Sequence, residues 1–86
     1  MFYIYVLEDK EGEHYIGSTM DLRKRLKEHN QGRNFATKGH QWHCIYYEAS
    51  LEESDARRRE KYLKTTQGRR LLKRRVKDYL YKRCVS

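Results

Sequence analysis

Two short runs, FYIYVL at Phe2–Leu7 and HYIGST at His14–Thr19, stand on either side of the polar stretch EDKEGE. The first is β-branched and aromatic, and Gly12 supplies a turn residue between them. The pattern predicts a buried strand over Phe2–Leu7 and a second short strand over His14–Gly17, closed as a hairpin. Side chains alternate along a strand, so Tyr3 and Tyr5 share one face of the first and Tyr15 and Gly17 share a face of the second. The two tyrosine rows converge if the register allows it.

Helical patterns follow the hairpin. Ser18 and Thr19 are good caps, Asp21 falls in a first turn, and Leu22 and Leu26 open an amphipathic helix running to about Asn30 and ended by Gly32. GRNFATKGHQ then reads as a polar loop and WHCIYYE, Trp42–Glu48, as a third strand. SLEE has the capping-box form, with Ser50 as cap and Glu53 reaching back, and predicts a helix from Leu51 to about Thr65. Gly68 separates it from a third helix, whose apolar stripe is Leu72, Val76, Tyr79 and Leu80 while Arg70, Lys73, Arg74 and Lys77 face away. The element order is ββαβαα.

A chain of 86 residues is expected to form one domain, 1–86, with a modest core and no large cofactor cavity. Its 37% hydrophobic residues and eight tyrosines exclude a disordered chain. No stretch approaches the ~18 apolar residues of a membrane span, and the first residues lack the features of a signal peptide, so a cytoplasmic protein without a membrane partner is expected. Cys44 and Cys84 show no paired spacing, and reduced thiols follow. The net charge of +8 is uneven: residues 1–56 hold seven basic and ten acidic side chains, and 57–86 hold thirteen and two. Such a polycation attracts phosphate backbones, unless it is only a solvated helical face.

Several polar residues occupy positions that packing alone does not ask for. Arg25 and His29 lie four apart, each three beyond Leu22 or Leu26, at the border of the buried stripe. Glu60 falls in angle between Ala56 and Leu63 on the inward face of its helix, where a carboxylate is costly unless paired or holding a metal. Each also has a plainer reading. Strand tyrosines are usually packing residues, His29 suits a helix C-terminus, and Glu60 has Lys64 one turn on. His40, His43 and Cys44 make a poor zinc set, since adjacent strand residues point to opposite faces.

YIY at Tyr3–Tyr5 followed by YIG at Tyr15–Gly17 resembles the paired signature of the GIY-YIG nuclease superfamily, with Ile4 and Ile16 at its centre and Tyr3 where the family name has glycine. Arg25 and His29 in LRKRLKEH, and Glu60 in RREKYLK, match the family's later residues in order and spacing. The ATKG loop and YYE strand are similar to small stand-alone bacterial members. The resemblance covers about Phe2–Leu72 and implies an α+β fold, a small three-stranded antiparallel sheet flanked by helices.

That resemblance also implies a metal-dependent endonuclease of the kind that processes and repairs DNA. Glu60 would ligate one divalent ion, Mg²⁺ or Mn²⁺, and Arg25 would clamp the phosphate. Tyr5 or Tyr15, with Tyr5 favoured, would take the proton of the attacking water. A free tyrosine of pKa ~10 needs neighbouring positive charge for that task. His29 would hydrogen-bond the other tyrosine or relay a proton, and Gly17 would leave room for a close approach. Arg25, Lys38, Arg69, Arg70, Lys73, Arg74 and Lys77 are the expected phosphate contacts. Homing-type relatives place a further histidine in the loop after the first helix, where this chain has Thr37 and Lys38. The expected partner is DNA, whether single-stranded, duplex or branched, cut without sequence specificity by a monomer that uses no small-molecule cofactor. The alternative is a nucleic-acid-binding module on the same scaffold without turnover.

Overall fold

The structure is a computed structural model that describes residues 1–32 and 39–85. Its elements are β1 (Phe2–Glu8), β2 (His14–Thr19), α1 (Leu22–Asn30), β3 (His43–Ser50), α2 (Glu53–Leu63), α3 (Thr66–Arg75) and α4 (Lys77–Val85). The strands form an antiparallel sheet in the order β2-β1-β3. As the centre strand, β1 is covered on both faces. This is why it reads as a continuous apolar run rather than an alternating one.

The hairpin closes as its residues suggest. Asp9 accepts from the amides of Glu11 (3.0 Å) and Glu13 (2.8 Å), and Gly12 takes φ +86°. The register sets Tyr5 opposite Gly17 and Leu7 opposite Tyr15, so Tyr5 and Tyr15 are diagonal neighbours on one face. Across β1 and β3 a bulge at Ile45 lets Val6 pair with Tyr46 and Leu7 with Cys44.

Alternation sorts the core into two clusters. Tyr5, Leu7 and Trp42 pack with Leu22 and Leu26 of α1 on one face. Ile4, Val6 and Ile16 pack with Ala56, Leu63 and Leu72 of α2 and α3 on the other. At about 25 cal/mol per Å², each buried leucine, isoleucine or valine among them contributes roughly 1.5–3 kcal/mol.

Four local expectations are corrected. Ser18 and Thr19 do not cap α1, because they still pair with Ile4 and Tyr3 as the end of β2; Asp21 is the cap, accepting from Lys24 N at 3.1 Å. Ser50 does not cap α2, since β1 pairing holds it opposite Phe2; Glu52 occupies the N-cap and its side chain makes no cap bond. Gly68 does not separate two helices but lies in the first turn of α3, capped by Thr65. A Cβ there would run into the Tyr62 carbonyl and come within 2.6 Å of Leu63 Cα, so the glycine permits close packing of α3 on the end of α2. Finally, the expected third helix is two. Val76 leaves the helical region (φ −107°, ψ 26°), and the bend lets Leu72 pack on the sheet while Tyr79 and Arg83 reach Glu8 at its end.

Candidate active site

The hairpin and α1 bring five of the expected residues together. Tyr5, only 1% exposed, lays its ring across Gly17, where an added Cβ would lie 2.5 Å from the Tyr5 hydroxyl. The room at Gly17 is thus taken by Tyr5 itself. The hydroxyl meets Nε2 of the fully buried His29 at 2.9 Å. It is therefore Tyr5, the favoured base, that His29 bonds. Tyr15 is half-buried and packs its ring against that of His29, with centroids 4.8 Å apart.

Arg25 completes the group from the same helix. Its positive charge lies close enough to act on the Tyr5 oxygen, and it forms an ion pair with Glu28 (3.2 Å). Burial raises the Tyr5 pKa, the neighbouring Tyr15 and Glu60 add to the rise, and Arg25 opposes it. Burial, reinforced by Arg25, lowers the His29 pKa below its usual 6.5. The imidazole is therefore neutral near pH 7. A neutral Nε2 can accept the Tyr5 proton across the 2.9 Å contact.

Glu60 approaches from the other face of the sheet, on α2. Ser18, next to Gly17 and alternating to that face, donates to Oε1 at 2.6 Å, and Lys64 donates to Oε2 at 3.0 Å. The plainer pairing with Lys64 is thus present together with a tertiary bond that Ser18, read as a cap, had concealed. Burial pushes the Glu60 carboxyl up, but the hydrogen bonds from Ser18 and Lys64 and the charges of Lys64 and Arg57 outweigh it and hold the carboxyl below its ordinary value. The two halves of the site adjoin at Gly17–Ser18 on the outer strand. Beside them a cleft of about 360 Å³ is lined by Ser18, Lys24, Arg25, Glu28 and Arg57, among others.

The remaining residues scatter. Ile4 and Ile16 are core, and Tyr3 lies against Tyr47. Arg69, Arg70, Lys73, Arg74 and Lys77 are all exposed but do not form one row. Arg69 and Lys73 line a hollow with His14 and Ile16, whereas Arg74 and Lys77 line another with Ile45 and Tyr79. Lys38 and Thr37 lie outside the described residues. His40 pairs with Asp9 (2.7 Å), His43 with the Tyr79 hydroxyl (2.8 Å), and Cys44 with the Tyr46 carbonyl (3.4 Å). Among the described residues, no three His, Cys, Asp or Glu side chains gather as a metal cluster.

The family model of the GIY-YIG catalytic domain matches residues 1–75. The chain belongs to the GIY-YIG family, a family of nucleases. It is 33% identical to a UPF0213 protein of Streptococcus pneumoniae over 81% of this chain and 85% of that one. A UPF0213 protein of Staphylococcus saprophyticus is also 33% identical, over 83% and 89%. The solution NMR structure of a UPF0213 protein from Bacillus halodurans superposes with a TM-score of 0.52 at 27% identity, over 84% of this chain and 82% of that one. The GIY-YIG match thus spans the hairpin, α1, β3, α2 and α3. No helix among the described residues is long and apolar enough to cross a membrane.

Proposed function

We propose that this chain is a divalent-metal-dependent endonuclease that hydrolyses DNA phosphodiester bonds by structure or without sequence preference. The carrying observation is the Tyr5–His29 hydrogen bond, buried over Gly17 and flanked by Arg25. Phosphodiester hydrolysis needs a proton acceptor for water and positive charge on the phosphate. Tyr5 is too weak a base in its buried, neutral state. As it takes the proton of water it passes its own to Nε2 of His29, which is neutral and in contact. Arg25 stabilises the oxygen through that exchange and offers its charge to the phosphate. Tyr15 is the less buried residue of the two, which favours a second reading in which Tyr15 meets the water and the Tyr5–His29 pair positions it.

The donor set at Glu60 fits a hard cation. Mg²⁺ is commonly held by one or two carboxylates, with waters and substrate phosphates completing its shell. Glu60 would hold Mg²⁺ or Mn²⁺, Ser18 would fix the carboxylate's orientation, and the half-exposed Lys64 would swing off Oε2. The bound ion would supply positive charge to the phosphate and a more acidic water.

Glu60→Gln keeps the shape and removes the charge. Cleavage is expected to fall by about 10²–10³-fold, while the melting temperature and DNA binding in chelator persist. A variant that cuts at the wild-type rate excludes Glu60 as the ligand. Binding without turnover, by the wild type with either metal and on single-stranded, duplex and branched DNA, selects the non-catalytic module.

A further inference from the structure

Helix α1 covers only part of the face that carries Tyr5 and Tyr15. Beyond it Tyr3 of β1 and Tyr47 of β3 stand edge to face, with centroids 6.0 Å apart and planes at 64°, and Tyr47 is 58% exposed. They border a shallow depression with Met20, Asp21, Leu22 and Arg23. Met20 and Asp21 also line the cleft of Arg25, so the two hollows adjoin at these residues. Arg23 and Lys24, both exposed, have no ion-pair partner among the described residues, and the Asp21 carboxylate is occupied at Oδ1 by the Lys24 amide. An exposed aromatic face thus leads, past unpaired cations, to the candidate active site.

We propose that Tyr47, backed by Tyr3, is a stacking platform for an unpaired base of the DNA strand whose phosphates run along Arg23 and Lys24 toward Arg25. This rests on the nuclease reading above and adds a substrate feature, an unpaired nucleotide beside the cut. Aromatic side chains accept any base, because every base has a π-face, and a duplex offers such faces only at its ends. The platform selects strand state without reading sequence.

The test is a titration in chelator, where no cutting occurs, of single-stranded and duplex oligonucleotides carrying 2-aminopurine. The wild type is expected to bind the single strand and quench the probe. Tyr47→Leu should weaken single-strand binding by about tenfold and abolish the quench, with duplex binding little changed, and Tyr47→Phe should restore both. If Tyr47→Leu binds and quenches as the wild type does, the platform is wrong, and a lowered melting temperature would then assign the pair to packing. Self-association that depends on Tyr47 without an effect on DNA would also overturn it, making the patch a contact between copies. Absence of DNA binding by the wild type would instead remove the nucleic-acid reading itself.

Discussion

Two buried hydrogen-bonded histidine pairs hang from the same central strand, on opposite faces and put to opposite uses. Tyr5 and His29 form a pair without formal charge, in which burial raises the phenol and lowers the imidazole. Glu8, 0% exposed, instead gathers His14 (2.9 Å), the Tyr79 hydroxyl (2.7 Å) and Arg83 (3.3 Å) around an ionised carboxylate. Burial alone would raise the Glu8 pKa, but Tyr79, His14 and Arg83 outweigh it and hold it below its usual 4.5. The first pair keeps its proton on Tyr5 at rest, and Nε2 takes that proton only as Tyr5 receives another. The second ties α4, which lies beyond the family match, to the sheet. The difference between them is ionisation: Glu8 carries a charge held by direct ion pairs, and Tyr5 stays neutral beside Arg25.

The largest expected effect breaks the tether. Glu8→Ala leaves the Tyr79 hydroxyl and Arg83 without their shared acceptor and is expected to cost about 3 kcal/mol of stability, read in a denaturant melt, while the folded fraction still cuts DNA. Loss of cleavage at full stability would move Glu8 into the chemistry.

Next, Tyr5→Phe keeps the ring over Gly17 and removes the proton, so cleavage is expected to drop by about 10²-fold or more, while the lost bond to buried His29 costs only about 1 kcal/mol in the melt. The larger loss in Tyr15→Phe would select the second reading, and wild-type rates in both would leave the tyrosines as core.

Gly17→Ala sharpens the same site from below. The new Cβ must displace the Tyr5 ring or the strand, at roughly 1–3 kcal/mol, and the Tyr5–His29 bond should be lost with it. An alanine variant with wild-type stability and rate would show that the ring can move freely.

The smallest effect is a pH dependence. His29 binds a proton less readily folded than unfolded, so its contribution to stability is present at neutral pH and is lost as pH falls below about 6.5, the unfolded value. Lowering the pH further removes the contributions of Glu8, Asp9 and Glu60, whose folded pKa values are also depressed. Cleavage should decline on the acid side with a midpoint below 6.5. Melts of the wild type and His29→Gln between pH 7 and 5.5 check it, since the variant should lose that slope.

Much of this was legible locally. FYIYVL, the EDKEGE turn and the Leu22/Leu26 spacing each specify an element from neighbours within one or two turns of chain, and those elements form where expected. Helix starts were less legible. Ser18, Thr19 and Ser50 are good caps in isolation, but cross-strand pairing with β1 claimed their backbones first. The Arg25–His29 spacing and the inward angle of Glu60 were readable on single helices, and Ser18 carried no sign of the carboxylate it holds 42 positions away.

By itself, then, the sequence determined the kinds of element, their order through α2 and the family signature, because propensity, periodicity and motif act over short separations. Only the tertiary structure decided that Tyr5, not Tyr15, bonds His29, that Gly17 is small for the sake of Tyr5, and that Glu8 anchors a fourth helix. Those facts depend on register and on which face each helix covers. A one-residue slip would reverse every side chain in β2, and no local rule along the chain measures it.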